Sequence, residues 1–197
     1  YDANGTRHLD FLCGLAVTGL GHAHPAITEA VAAQAGTLTH TSNLFANEHQ
    51  APVAETLNRL IDAGSGQVLF QNSGAEANEA AIKLARRYGH QKGIETPHMI
   101  VLDGAFHGRT VGALSATGNQ KIRQGFGPLL EGFLHVPPND LSAIDALADS
   151  RNDIAAIMVE PIMGEGGIRP LQTDYLQGLH ARCDQQGWLL IFDEVQT

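Results

Sequence analysis

The sequence predicts an α/β protein: a mainly parallel sheet with crossover helices. Three observations predict it. Short apolar runs of strand length recur at 68–70, 99–102, 154–159 and 188–192. Helical patterns lie between them, at about 75–88, 109–116, 141–149 and 174–186. The runs are continuously apolar rather than alternating, which places these strands inside, covered on both faces. Strand and helix in alternation give parallel pairing with right-handed crossovers.

Bulk properties narrow the function. A chain of 197 residues with 43% hydrophobic content builds one substantial core, in one domain or two. Twelve basic against 21 acidic residues leave a net charge of -9, which argues against a nucleic-acid surface and a polybasic membrane patch and favours small-molecule substrates. Cys13 and Cys183 are too few for a disulfide framework, so a reducing cytoplasm is expected. No apolar stretch approaches the ~20 residues of a membrane helix. The chain opens at Tyr1 and stops at Thr197 just after an apolar run, so a fragment of a longer protein is expected.

Taken in order, Asp2-Ala3-Asn4-Gly5 is a strong turn signal and predicts a short hairpin within residues 1–11. Residues 14–25 are glycine-rich and irregular, and Pro25 opens a helix to about residue 35. His22 and His24 have no Cys or acidic partner at ligand spacing, so a polar loop cluster is read there and no metal site. A helix is expected over 48–63, with Val53, Leu57, Leu60 and Ile61 on one face and Gly64-Ser65-Gly66 ending it. Pro137-Pro138-Asn139-Asp140 is the clearest turn.

The stretch Gln71-Asn72-Ser73-Gly74-Ala75-Glu76 joins the first apolar run to a helix. Ser73 and Glu76 fit a capping box, and Gly74 lets the backbone turn sharply. The first free N–H groups of that helix suit an anion, although an ordinary capped helix has the same signature.

Polar residues follow every apolar run: Asn72 to Gly74, Asp103 to Arg109, Glu160 to Gly167, and Asp193 to Gln196. Singly, each has an ordinary explanation as a cap or a turn. Together they fall at the carboxyl ends of strands, where open α/β sheets bind ligands. Asp193, near the sheet floor, wants a cationic or proton-donating partner, and a protonated ring nitrogen serves. Phe106 and Val195 could flank a flat ring, Gln196 could bond a ring hydroxyl, and Ser73-Gly74-Ala75 would hold a phosphate. A phosphate, an aromatic ring, a basic ring nitrogen and a hydroxyl describe pyridoxal phosphate (PLP).

Ser73-Gly74-Ala75-Glu76-Ala77-Asn78-Glu79, Phe106-His107-Gly108-Arg109, Val159-Glu160-Pro161-Ile162 with Gly164-Glu165-Gly166-Gly167, and Phe192-Asp193-Glu194-Val195-Gln196 resemble the class III aminotransferases of PLP fold type I. The resemblance spans nearly the whole chain. It implies residues 1–47 as an N-terminal segment of a small domain, and 48–197 as the first part of the PLP-binding large domain, truncated at its C-terminal end. It implies backbone amides of Gly74 and Ala75 on the phosphate with Ser73 close by, Phe106 and Val195 on the two ring faces, Asp193 on the ring nitrogen as the catalytic carboxylate, and Gln196 on the ring hydroxyl. It further implies Arg109 as the clamp on a substrate carboxylate, with Glu160 and Glu165 lining the site.

Within the class, residues 14–25, Ser42-Asn43-Leu44-Phe45 and 160–167 are most similar to acetylornithine aminotransferases. Ornithine aminotransferases carry an aromatic residue where this chain has Leu15; an acyl-masked amine needs apolar room there. The implied reaction moves an amino group from N-acetylornithine, or the near rival succinylornithine, to 2-oxoglutarate in arginine metabolism, by a homodimer in the parent protein. The alternatives are another class III enzyme, such as a 4-aminobutyrate or ornithine aminotransferase or an aminomutase, and a non-catalytic module that binds PLP or phosphate.

Fold type I chemistry also implies a lysine that forms the Schiff base, beyond the Asp193 motif. Lys83, Lys92 and Lys121 are the lysines present, and none fits that role. The 197-residue piece alone is therefore expected not to transaminate. Turnover of N-acetylornithine with 2-oxoglutarate and PLP, or a borohydride-trapped adduct on any of these lysines, would overturn the expectation.

Overall fold

The computed structural model describes residues 1–61 and 64–197. The chain divides into two compact units, Tyr1–Leu69 and Phe70–Thr197.

The first unit holds α1 (Cys13–Ala16), α2 (Pro25–Thr37) and α3 (Gln50–Leu60). Pro25 starts α2 as expected, at a position whose N–H would have no helical partner anyway. Part of the helix expected over 48–63 falls on residues 62–63, outside the described residues; α3 is already capped at Ile61, so Gly64 does not end it. The expected hairpin within 1–11 does not form. The turn forms, with Gly5 N donating to Asp2 O and Asp2 N to Thr6 O, but Asp2 Oδ1 takes the Thr6 N–H at 2.9 Å and no ladder continues beyond it. The glycine-rich stretch is irregular apart from α1, and His22 Nε2 lies 2.8 Å from Asp10 Oδ2.

The second unit carries α4 (Gly74–Gln91), β1 (His98–Leu102), α5 (Val111–Ala116), α6 (Gln120–Arg123), β2 (Phe133–Val136) and α7 (Leu141–Ser150). β3 (Ile154–Val159), the short antiparallel pair β4 (Ile162–Met163) and β5 (Arg169–Pro170), α8 (Thr173–Gln186) and β6 (Leu189–Phe192) follow. The main sheet is all parallel in the order β2-β1-β3-β6. Helices cover both faces. Ile100, Leu102, Ile157 and Val159 pack with Ile144, Tyr175 and Leu179 from α7 and α8. Met99, Val101, Ala156 and Met158 pack with Ile82 and Ala85 of α4 and Ala116 of α5.

Local chemistry sets the element ends. Ser73 caps α4, its Oγ accepting from Glu76 N at 3.2 Å, and the buried stripe Asn78, Ile82, Ala85 and Gly89 runs at helical spacing. Gly89 permits close approach: a Cβ there would stand 2.6 Å from Pro97 and 3.0 Å from Ala155. Gly187 ends α8 in the left-handed region at φ 67°, and Trp188 N donates to Cys183 O. That bond withdraws Trp188 from the ladder, so β6 begins at Leu189.

The sheet differs from expectation at the 68–70 run, and it includes a strand the apolar pattern does not mark. Residues 68–70 form no strand: Leu69 and Phe70 are 64% and 44% exposed, and no ladder partner exists among the described residues. Within the described residues β6 pairs on one side only, with β3, and Phe192 is 46% exposed. β2 goes unmarked in the sequence because it is four residues long and His135 interrupts its apolar run.

Ile157 is fully buried at the centre of β3. Ile157→Ala should cost about 2–5 kcal/mol, read as a lower urea midpoint at unchanged slope.

Candidate functional site

The chain passes from β1 to β2 on one side and then crosses back to β3 on the other, so the sheet has its topological switch between β1 and β3. Loops leaving adjacent strands in opposite directions open a crevice there, at the carboxyl ends. Glu160, immediately after β3, spans it: Oε2 accepts from Phe106 N at 2.9 Å in the loop after β1, and Oε1 accepts from Gly164 N at 3.3 Å. The turn at 164–167 closes on the same loop, since a Cβ on Gly166 would lie 2.9 Å from Gly104 O.

Asp193, one residue beyond β6, is the centre of this arrangement. Its N–H donates to Val159 O at 2.8 Å, which extends the β3–β6 pairing and holds its side chain at the sheet end. Oδ2 receives two donors, His107 Nδ1 and Asn78 Nδ2, each at 2.8 Å, while Oδ1 accepts from Val195 N at 3.2 Å. Asn78 Nδ2 also donates to His107 O at 2.7 Å. All three side chains are buried. A carboxylate can only accept here, so the His107 proton sits on Nδ1. His107 Nε2 is buried with no partner among the described residues.

Burial pushes the Asp193 carboxyl up, but the His107 and Asn78 hydrogen bonds and the Val195 N–H outweigh it and hold it below the ordinary range. Glu160 goes the other way. Burial raises it, and the N–H groups of Phe106 and Gly164 only partly offset the rise. Two nearby carboxyl groups with opposed shifts separate a fixed anion from a group that holds a proton more readily.

At the other wall, α4 begins with Ser73. The N–H groups of Gly74 and Ala75 find no acceptor among the described residues, so they and the helix dipole suit an anion. Gly74 packs under Val195, where a Cβ would come within 2.7 Å of Cγ1. Glu76 departs from the expected capping box: its Oε2 accepts from Asn72 N at 2.7 Å, one residue before the cap.

Phe106 is half-buried, and the Arg109 guanidinium lies 6.0 Å from its ring centroid. Gln196 is exposed, with its Cγ near Gly164. The structure thus gathers Gly74, Val195, Asp193, Phe106, Glu160 and Gln196 through direct contacts or shared loops. Glu165 is exposed and makes no hydrogen bond among the described residues.

Two residues that sequence reasoning passed over hold the centre, Asn78 and His107. The signal for Asn78 is a polar residue on the apolar stripe of α4, and His107 lies within Phe106-His107-Gly108-Arg109. Glu79 is a third: its Oε1 accepts from Thr110 Oγ1 at 2.6 Å and Ala113 N at 3.1 Å, capping α5 from a neighbouring helix. Gly112 makes room, since a Cβ there would collide with the Glu79 carboxylate.

Fold and site define an α/β protein whose polar loops gather at a sheet switch point, beside a helix start with unpaired N–H groups and around a fixed carboxylate. The family profile described as aminotransferase class-III matches residues 1–197. An acetylornithine aminotransferase of Nitrosomonas europaea is 52% identical over 196 residues, covering 100% of this chain and 49% of that protein. Among solved structures, the ornithine aminotransferase of Toxoplasma gondii aligns with TM-score 0.92 at 36% identity, over 100% of this chain and 47% of that one. A PLP-bound amine transaminase from an uncultivated Pseudomonas species aligns with TM-score 0.89 at 29% identity, over 99% of this chain and 49% of that one. The chain belongs to the class III aminotransferase family. It spans about half the length of the curated relatives it matches.

Glu79 is held below its ordinary value of 4.5: burial opposes this, and the Thr110 and Ala113 donors prevail. A depressed carboxyl stabilises fully above its unfolded value and loses that contribution as pH falls through the folded one. Glu79→Gln should therefore lose stability near neutral pH, by about 1 kcal/mol, and the gap to the unmodified protein should close below pH 4.5 in Tm measurements.

Proposed function

We propose that the protein containing this chain is a PLP-dependent aminotransferase that moves the amino group of N-acetylornithine to 2-oxoglutarate in arginine metabolism. The observation that carries the reading is the buried, ionised Asp193, two residues before the Val195 side chain that packs on Gly74, where the Gly74 and Ala75 N–H groups have no acceptor among the described residues. PLP asks for that pair of features: an anion for its ring nitrogen and donors for its phosphate. The relatives named acetylornithine aminotransferase at about half identity support the substrate. Succinylornithine is the near alternative.

The residues divide the work. Gly74 and Ala75, with Ser73, hold the phosphate. Phe106 and Val195 flank the ring and keep water from its faces, and Gln196 orients the ring hydroxyl. Asp193 keeps the ring nitrogen protonated. PLP, when bound, supplies an electron sink for removal of the proton beside the substrate amine. Arg109 engages a substrate carboxylate, for which the planar guanidinium is suited. Glu160 and Glu165 line the substrate side. Residues 1–47 belong to the small domain, 48–197 begin the large domain, and a cytoplasmic homodimer completes the proposal.

The test uses the PLP-loaded protein that contains this chain, offered N-acetylornithine, ornithine and 4-aminobutyrate in turn. N-acetylornithine should give the highest kcat/KM; preference for another donor rejects the substrate, and failure to take up PLP rejects the whole reading. Asp193→Ala should cut kcat by about 10²–10³ fold.

A further inference from the structure

Asn78 is a buried amide in a helix, and both of its donor hydrogens are engaged: one by His107 O at 2.7 Å, the other by Asp193 Oδ2 at 2.8 Å. It stands on α4, five residues past Ser73, so one side chain joins the helix that starts at the anion-accepting turn, the loop after β1 and the carboxylate after β6. Its partner on the same oxygen, His107, reaches Asp193 from the loop that Asn78 itself pins. With two donors on one oxygen and a third on the other, the plane of the carboxylate is fixed. Oδ1, which meets only the Val195 N–H at 3.2 Å, is the oxygen with acceptor capacity left over.

We propose that Asn78 is a positioning residue for Asp193: by occupying Oδ2 together with His107, it turns Oδ1 toward the basic ring nitrogen of the cofactor and fixes that oxygen relative to the phosphate-binding turn. The proposal rests on the PLP reading above. A purely architectural Asn78 would serve only to satisfy the His107 carbonyl, and its loss would then leave Asp193 unmoved.

Two readouts on the protein that contains this chain separate these roles. The first needs no cofactor: the Asp193 carboxyl is titrated by carbon NMR in the PLP-free protein. The charged or titratable groups facing it are His107 from the loop after β1 and Glu160 from the end of β3, and both are followed in parallel. Asn78→Ala removes a donor that favours the ionised form, so the Asp193 midpoint should rise by about one pH unit. Asn78→Asp sets a second carboxyl at the same place, and the pair should share a proton, raising the midpoint further. The second readout adds PLP: Asn78→Ala should weaken binding about tenfold and shift the pH dependence of the bound cofactor's absorption.

Unchanged Asp193 midpoints in both variants overturn the proposal. A shifted midpoint with unaltered PLP affinity and spectrum overturns it too, because the carboxylate would not be set for the ring. If the unmodified protein takes up no PLP, the proposed function falls, and the cofactor-free titration shows that this failure is separate from the Asn78–Asp193 coupling.

Discussion

A single oxygen, Oδ2 of Asp193, ties together segments that are far apart in sequence. His107 lies 86 residues away and Asn78 lies 115 away, and both donate to it. Hydrogen bonds to a charged acceptor in a low-dielectric interior are stronger than those in water, and an unmade one is costly. The two donors therefore offset the burial of Asp193, and losing either one raises its cost. The loops that bring them are held in turn: Thr117 Oγ1 accepts from His107 N at 3.0 Å, and Glu160 accepts from Phe106 N. The crevice keeps its shape because each loop is bonded to the next, and the chain of bonds ends on the carboxylate.

The parts of this architecture that depend on local pattern were legible in the sequence. α2, α4, α7 and α8 and the strands β1 and β3 follow from apolar periodicity and from signals such as the Ser73 cap and the turn at Pro137-Pro138-Asn139-Asp140. The gathering of polar loops at the carboxyl ends of strands also followed, because it is a property of parallel sheets and not of particular contacts. What escaped was decided at a distance. β2 is a strand because β1 lies beside it. Asn78 reads as an interruption of an apolar stripe until Asp193 is placed opposite. Glu79 reads as a surface helix residue, yet it caps a helix that begins 32 residues later.

Glycine has a different task in this site than in the turns. Gly74 and Gly112 do not need unusual backbone angles; they are places where a side chain would collide with Val195 or Glu79. Gly108 combines both demands, with φ 130° and a virtual Cβ 2.8 Å from that of Ala75. Such positions let α4 lie close to the loop after β1, and that closeness allows Asn78 to reach His107 O and Asp193 together.

The sheet order has a consequence for how the chain comes to its structure. β1 is the first strand of the main sheet along the chain, yet it lies between β2 and β3. A nascent chain therefore carries an apolar strand with both edges open until residue 136 supplies one neighbour and residue 159 the other. Closing those loops costs entropy before any ladder bond forms, which makes parallel pairing slow and leaves intermediates adhesive. α4, made just before β1, lays Ile82 and Ala85 against the face of Met99 and Val101. A helix that forms quickly from local contacts thus shields one side of the strand while its partners are still being made.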